Sequence, residues 1–188
     1  MIRKGWERVK REYPYVDNFR QIVNIWGFNL NKEHPMTGST GKHHAGVSLA
    51  EVQDLIPHRT PFLFVDQLES WDHGRIVGSR LFTEKDSFFQ GHFPGFPVVP
   101  GVILIEALAQ CGGAGVLKRG LLPPHAIIFL AAVSNARFRR PVRPGEVLRM
   151  EIEDVRVSTR MLKQKGTGTV DGVLAVEAEW MALAGEPK

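Results

Sequence analysis

The chain has 188 residues, 43% hydrophobic and 23% charged, which suits one globular domain with a short appendage. This excludes a two-domain dinucleotide enzyme or a multi-repeat array, and a single cysteine, Cys111, excludes an internal disulfide framework or a cysteine-rich zinc module and points to a reducing compartment. The net charge of +4 would suit nucleic acid, but residues 1–45 carry eight Lys/Arg and four Asp/Glu while residues 46–188 carry sixteen of each sign, so the body has no basic surplus.

Along the chain, Glu7, Arg8, Lys10, Arg11 and Glu12 interrupt any apolar run, so the N-terminus does not read as a signal peptide. Residues 17–27 predict a short amphipathic helix, capped by Asp17, striped by Phe19, Ile22, Val23 and Trp26, and stopped by Gly27. Segment 31–47 is poor in apolar residues and reads as a linker, with Met36 a candidate start of the natural chain. Residues 1–46 are thus expected to be an extension and 47–188 the domain. Gly38-Ser39-Thr40-Gly41-Lys42-His43 lacks the first glycine and the final Ser/Thr of a phosphate loop, and His34, His43 and His44 do not make a metal site. No metal, cofactor, nucleic acid or membrane is expected.

The body opens with a capping box, Ser48-Leu49-Ala50-Glu51, ahead of Val52, Leu55 and Ile56. Strands are expected over Pro61–Asp66 and Arg75–Thr83, and a buried strand over Ala126–Val133. Leu148, Met150 and Ile152 alternate with charged residues, as do Leu174, Val176, Ala178 and Trp180, and Met161–Val170 is expected to pair between those two strands. One wet face per strand predicts a mainly antiparallel sheet. Residues 101–119 are apolar on every side and predict a helix buried in the core, about 28 Å long. Glu106, Gln110 and four glycines argue against a membrane span. The class is α+β.

Between Ser87 and Leu117, 31 residues hold one charged side chain, Glu106, where the chain average would give about seven. Desolvation of an isolated carboxylate favours its protonated form, the state that a general acid needs. His92, in Gln90-Gly91-His92-Phe93-Pro94-Gly95, sits in a loop stiffened by Gly and Pro and is the matching base candidate. Gly101, at the start of the helix, offers a free backbone N–H at the positive dipole end and leaves room for a ligand carbonyl. Cys111 has no activating cation and is read as inert.

These residues fall into ordered motifs: Leu55-Ile56-Pro57-His58-Arg59-Thr60-Pro61-Phe62-Leu63, Phe88-Phe89-Gln90-Gly91-His92-Phe93-Pro94-Gly95, Pro100-Gly101-Val102 with Glu106-Ala107-Leu108-Ala109-Gln110, and Ala136-Arg137-Phe138-Arg139-Arg140-Pro141-Val142 with Pro144-Gly145-Glu146. Over roughly residues 47–183 the sequence resembles the (3R)-hydroxyacyl acyl-carrier-protein dehydratases of FabZ type. The resemblance implies a hotdog fold, a long central helix wrapped by an antiparallel sheet. It implies that His92 takes the C2 proton, that Glu106 protonates the departing hydroxyl and that the Gly101 N–H holds the thioester carbonyl. It further implies a cytoplasmic homodimer with sites shared between subunits, or a trimer of dimers, with neither metal nor nucleotide.

The implied partner is an acidic acyl carrier protein. Lys118, Arg119, Arg137, Arg139, Arg140 and Arg143 are the candidate contacts with it, and Phe62, Phe93, Phe96 and Val99 the candidate tunnel lining. Thr60, Phe96 and Val99 depart from the family pattern, which leaves chain length and the choice between fatty-acid and polyketide or other lipid pathways open. Glu rather than Asp at 106 argues against isomerase activity. A hotdog thioesterase and a non-catalytic acyl-binding paralogue are the alternatives.

Overall fold

A computed structural model describes residues 46–185. The expected helix at 17–27, the linker ahead of Gly46, the Gly38–His43 segment and His34, His43 and His44 lie outside the described residues. The first described element, α1 (Leu49–Leu55), starts as the capping box requires: the Ser48 N–H donates to the Glu51 carboxylate at 2.9 Å, and Val52 turns inward.

The strand expected at Pro61–Asp66 is not formed. Leu63, Phe64 and Val65 are buried but belong to no strand, and Pro61 has no N–H to give a ladder. The backbone groups that follow are satisfied by a side chain instead: the Phe64 N–H donates to Gln110 Oε1 at 2.8 Å, and the Phe62 carbonyl accepts from Gln110 Nε2 at 3.1 Å. Strand β1 begins just beyond, at Gln67–Ser70. It is followed by β2 (Arg75–Leu81), a 3₁₀ turn (Ser87–Gln90), α2 (Gly101–Lys118), β3 (Ile127–Phe138), β4 (Val147–Val157), β5 (Met161–Val170) and β6 (Val173–Gly185).

The six strands form one sheet in the order β1-β2-β4-β5-β6-β3. The first four neighbouring pairs are antiparallel. β3 continues the antiparallel register, with Asn135 and Arg137 meeting Glu179 and Glu177 and the Arg139 N–H donating to the Ala175 carbonyl at 2.7 Å. As expected, β5 pairs between β4 and β6. Their hairpin turns on Asp171-Gly172, both with positive φ, the geometry that a two-residue turn demands. β3 departs from expectation: it runs twelve residues and lies at the sheet's edge, half-exposed rather than buried.

α2 carries the α+β arrangement. Its length and mean hydropathy of 1.3 would let it cross a membrane, but 61% of it is buried within the domain, where it packs on β2, β4 and β5. The alternating inward residues Leu148, Met150 and Ile152 of β4 meet its all-round apolar surface. Two glycines set how closely helix and sheet approach. A Cβ on Gly115 would stand 2.5 to 2.8 Å from three side-chain carbons of Ile76, and one on Gly112 would stand 2.3 Å from Gln164 Oε1.

The opposite face of the sheet is polar. Arg75 and Arg149 pair with Glu151, Lys165 pairs with Glu153 at 3.0 Å, and Arg137 and Arg139 converge on Glu177. Arg75, Arg137, Glu151, Glu153, Lys165 and Glu177 line an open trough of about 700 Å³. Pairs this exposed add little stability and mainly keep that face wet.

The helix–sheet contact generates a test. Gly115→Val places branched carbons against the buried Ile76 and should destabilise the fold by about 1–3 kcal/mol, read as a lower urea midpoint at unchanged slope.

Candidate active site

His92 is positioned by a loop tied to itself. The 3₁₀ turn ends with the Gly91 and His92 N–H groups donating to the Phe88 carbonyl, at 3.2 and 3.0 Å. Phe93 and Phe96 exchange backbone bonds at 3.2 and 2.9 Å around Gly95, whose φ of +77° suits a residue without a side chain. The Val98 N–H closes the loop on the His92 carbonyl at 3.0 Å, and the Val99 N–H anchors it to the Val142 carbonyl at 2.8 Å. Phe88 fixes the base of the loop in an aromatic cluster with Phe64, Phe82 and Phe89.

The imidazole itself has little choice. Its Nδ1 lies 2.9 Å from the Val98 carbonyl oxygen, which can only accept, so Nδ1 carries the proton. A neutral ring then presents the Nε2 lone pair. Phe93 stacks on the ring at 4.0 Å between centroids and holds its plane.

Glu106 lies on α2 but is not the unpartnered carboxylate that its sequence surroundings suggest. Its Oε1 accepts from Gln110 Nε2 at 2.9 Å, one helical turn on. Gln110 cannot flip, because its own Oε1 takes the Phe64 N–H, so its NH₂ must face both the Phe62 carbonyl and Glu106. On the other side His58 Nε2 stands 3.5 Å from the same Oε1. Burial holds the His58 pKa below its ordinary 6.5, which outweighs the opposing pull of Glu106, and Arg59 lowers it further. His58 is therefore neutral at neutral pH, with Nε2–H toward the carboxylate and Nδ1 buried without a hydrogen-bond partner. Two donors thus face one oxygen of Glu106, and Oε2 is left over.

Glu106, His58 and Gln110 line a small cavity of about 40 Å³ between α2 and the sheet, with Ala109, Gly113, Ile128, Leu162, Gln164 and Trp180 further along its wall. Sequence reasoning singled out Glu106 but gave no role to His58, Gln110 or Gln164. Gln110 was findable, as the residue one turn from Glu106 on the same helical face. His58 stands in the first of the ordered motifs, but its contact with Glu106 comes from the loop after α1 and no spacing shows it.

The other expected site residues are placed differently. His92 is not among the residues lining the Glu106 cavity, and neither are Phe62, Phe93, Phe96 or Val99. Phe62, Phe93 and Phe96 are half-exposed, and Val99 belongs to the core. At Gly101 the first helical bonds run from Ile103 and Leu104 to the Pro100 carbonyl, leaving the Gly101 N–H ahead of the ladder. A Cβ at Gly101 would stand 2.8 Å from the Phe138 ring, so the ring packs where a side chain would project and the position requires glycine. Cys111 is fully buried and its thiol is pushed well above its ordinary range, which leaves it inert as expected. Among the described residues, no three His, Cys, Asp or Glu side chains group to hold a metal ion.

Of the six candidate carrier contacts, four are already paired. Arg119 is turned to Asp154, Arg137 and Arg139 to Glu177, and Arg140 to Glu146. Lys118 instead lies over Trp71, 5.6 Å from the ring centroid, and Arg143 over Phe96 at 5.1 Å. Arg143 therefore sits against the His92 loop, while Lys118 lies at the far end of α2.

Comparison with known proteins agrees with this architecture. The FabA-like domain matches residues 56–179. A 3-hydroxyacyl-acyl-carrier-protein dehydratase FabZ of Caulobacter sp. (strain K31) is 47% identical over 144 residues, 76% of this chain and 88% of that protein. The FabZ of Bacillus cereus (strain AH820) is 42% identical over 147 residues, 76% of this chain and 99% of its own length. Among solved structures, the dehydratase heterocomplex ApeI:P from Xenorhabdus doucetiae superposes with a TM-score of 0.63 at 17% identity, covering 72% of this chain and 91% of that one, a likeness of hotdog fold alone. With a domain match over most of its length and relatives at these identities, the chain belongs to the FabZ-type dehydratases of the FabA-like family.

Proposed function

We propose that this protein dehydrates 3-hydroxyacyl groups carried on an acyl carrier protein to trans-2-enoyl groups, in fatty-acid biosynthesis and in the cytoplasm. The observation that carries the reading is that two ionisable side chains are each locked through one atom and keep another free. His92 is held through Nδ1, which leaves Nε2 as the base; Glu106 is held through Oε1, which leaves Oε2 as the acid.

The chemistry follows from those atoms. His92 Nε2 removes a proton from C2 of the thioester, and negative charge develops on the thioester carbonyl, where the Gly101 N–H at the helix dipole end stabilises it. The C–H electron pair becomes the C2–C3 double bond as the C3–O bond breaks. Glu106 Oε2 gives its proton to the departing oxygen, which leaves as water. Exchange with solvent returns a proton to Glu106 and takes one from His92. A neutral His58 suits this cycle, because it stands 3.5 Å from Oε1 without placing a positive charge beside the carboxylate.

The separation of His92 from the Glu106 cavity supports a site completed by a second copy. β3 provides the contact: it is long, lies at the sheet's edge and exposes Leu130, Val133 and Phe138, so pairing β3 with its copy would join two sheets and cover apolar surface. The carrier protein docks by charge, and Arg143 supports the reading best, since among the described residues it pairs with no carboxylate and it lies against the His92 loop.

Hydration of a crotonyl thioester, the reverse reaction, tests the reading directly. His92→Ala and Glu106→Gln should each slow it by about 10²–10⁴-fold with no free thiol released, and wild-type rates in both would sink the mechanism. Site sharing has its own signature. When the two inactive variants are unfolded together and refolded as an equal mixture, mixed dimers carry one intact site, and about a quarter of wild-type activity should return; a site within one chain returns none.

His58 adds a pH test. Above 6.5 it is neutral whether folded or not. As pH falls below 6.5 the unfolded chain binds the proton first, so stability drops across the window down to the lower folded pKa. His58→Gln should therefore lose less Tm than wild type between about pH 7 and pH 5.

A further inference from the structure

β2 carries an ion on its core-facing side. In register with β4, Ile76 stands opposite Ile152, Gly78 opposite Met150 and Arg80 opposite Leu148. Ile76, Ile152, Met150 and Leu148 are all buried in the core, and the Arg80 side chain beside them is 17% exposed. A guanidinium so far out of water is costly unless it is paired. Arg80 has two partners: Nη1 donates to Asp66 Oδ1 at 2.8 Å and Nη2 to Asp86 Oδ1 at 2.5 Å. The second oxygen of each acid is also committed. Asp66 Oδ2 accepts the Leu81 N–H and Asp86 Oδ2 the Thr83 N–H, both at 2.7 Å. The Arg80 Nε is buried without a hydrogen-bond partner, so the two carboxylates carry the pairing.

The two acids belong to different parts of the site. Asp66 follows the buried segment whose Phe64 N–H is held by Gln110, the residue that also donates to Glu106. Asp86 leads into the 3₁₀ turn at the root of the His92 loop. Its carbonyl accepts the Phe89 N–H at 3.1 Å, and two residues on, the Phe88 carbonyl accepts the Gly91 and His92 N–H groups. The Asp86 side chain is 9% exposed, so its tie to Arg80 is largely shielded from water and salt. Such a pair is weak evidence for stability, because an apolar side chain at the same core-facing position avoids the desolvation. What the ionic fork supplies is direction: two bonds to two fixed oxygens set where the start of the turn stands.

We propose that Arg80 is a positioning residue for the dehydration: through Asp86 it fixes the root of the His92 loop, and with it the aim of the imidazole. The proposal rests on the function given above, in which His92 is the base. Arg80 itself meets no reacting atom. Its effect passes along the 3₁₀ turn to the ring whose Nδ1 lies against the Val98 carbonyl.

The test uses the full chain with Arg80→Met, Asp86→Asn and the double variant, each checked for a cooperative thermal transition. Asp86→Asn keeps an oxygen for the Thr83 N–H and leaves Arg80 paired with Asp66, so it decides the matter if Arg80→Met does not fold. In hydration of a crotonyl thioester, kcat should fall by about 10²-fold in Arg80→Met and about tenfold in Asp86→Asn, with KM within about twofold of wild type. A misplaced base slows the chemistry without loosening binding. The double variant should be no slower than Arg80→Met, because both changes cut the same tie. The ring ¹⁵N shifts of neutral His92, assigned by their loss in His92→Ala, give a readout independent of turnover. They should show the Nδ1–H form alone in wild type and a mixture of both tautomers in the variants. Folded variants that keep wild-type kcat, or lose it with His92 still wholly in the Nδ1–H form, overturn the inference. A double variant slowed by the product of the two single losses overturns the link through Asp86. Absence of hydration in wild type instead overturns the dehydratase reading, while the ring shifts still decide whether Arg80 holds His92, so the two failures are separable.

Discussion

One carboxamide ties the fold to the site. Gln110 is 3% exposed and makes three hydrogen bonds: it accepts from the Phe64 N–H and donates to the Phe62 carbonyl and to Glu106. The first two bonds satisfy backbone groups of a buried segment that joins no strand. The third fixes which oxygen of Glu106 is free. Removing this one side chain would leave a buried N–H and a carbonyl unpaired, at about 1–3 kcal/mol each, and would release the carboxylate at the same time. The segment that carries Phe64 into the core and the group assigned to the chemistry are therefore held by the same atom set.

α2 explains why the charge-poor window had to be so long. It packs on several strands, so its surface must be apolar nearly all round, and charge is tolerated only where the sheet leaves a gap. Glu106, Ala109, Gln110 and Gly113 mark that gap. Gly112 and Gly115 mark faces where the helix touches the sheet too closely for a Cβ. A polar stripe beside glycine-lined contacts is what a helix must carry when it is both the core of a domain and one wall of a cavity.

Alternation and periodicity were enough to place β4, β5, β6 and α2, because those elements bury one face or all faces and the burial pattern is written in the side chains. They misled at Pro61–Asp66, where three buried apolar residues look like a strand but the backbone partner is a glutamine from forty-odd residues away. They also misled at β3, whose apolar content reflects exposed side chains on an edge rather than burial. Glu106 and His92 could be found as isolated titratable groups. Their settings could not, since His58 reaches Glu106 from a different loop, and the Val98 carbonyl fixes the His92 tautomer through a loop closure that no spacing rule encodes. Phe62, Phe93, Phe96 and Val99 do not line the Glu106 cavity, whose wall comes from α2 and from strands with no local motif.

The charge of the domain shows why pairing matters more than counting. Residues 46–188 are neutral in sum, which says only that no long-range field favours a polyanion. The structure distributes that neutrality unevenly. The outer face of the sheet spends its arginines on glutamates across neighbouring strands, and Arg119 is spent on Asp154 behind Gln164, where it stiffens the cavity wall rather than meeting solvent. Arg143 is held by an aromatic ring, and among the described residues no carboxylate pairs with its charge. A guanidinium stacked on Phe96 is oriented without being neutralised, so a domain with no net charge still presents a directed positive group beside the loop that holds His92. For an anionic carrier, that local asymmetry is the part of the electrostatics that can orient an encounter.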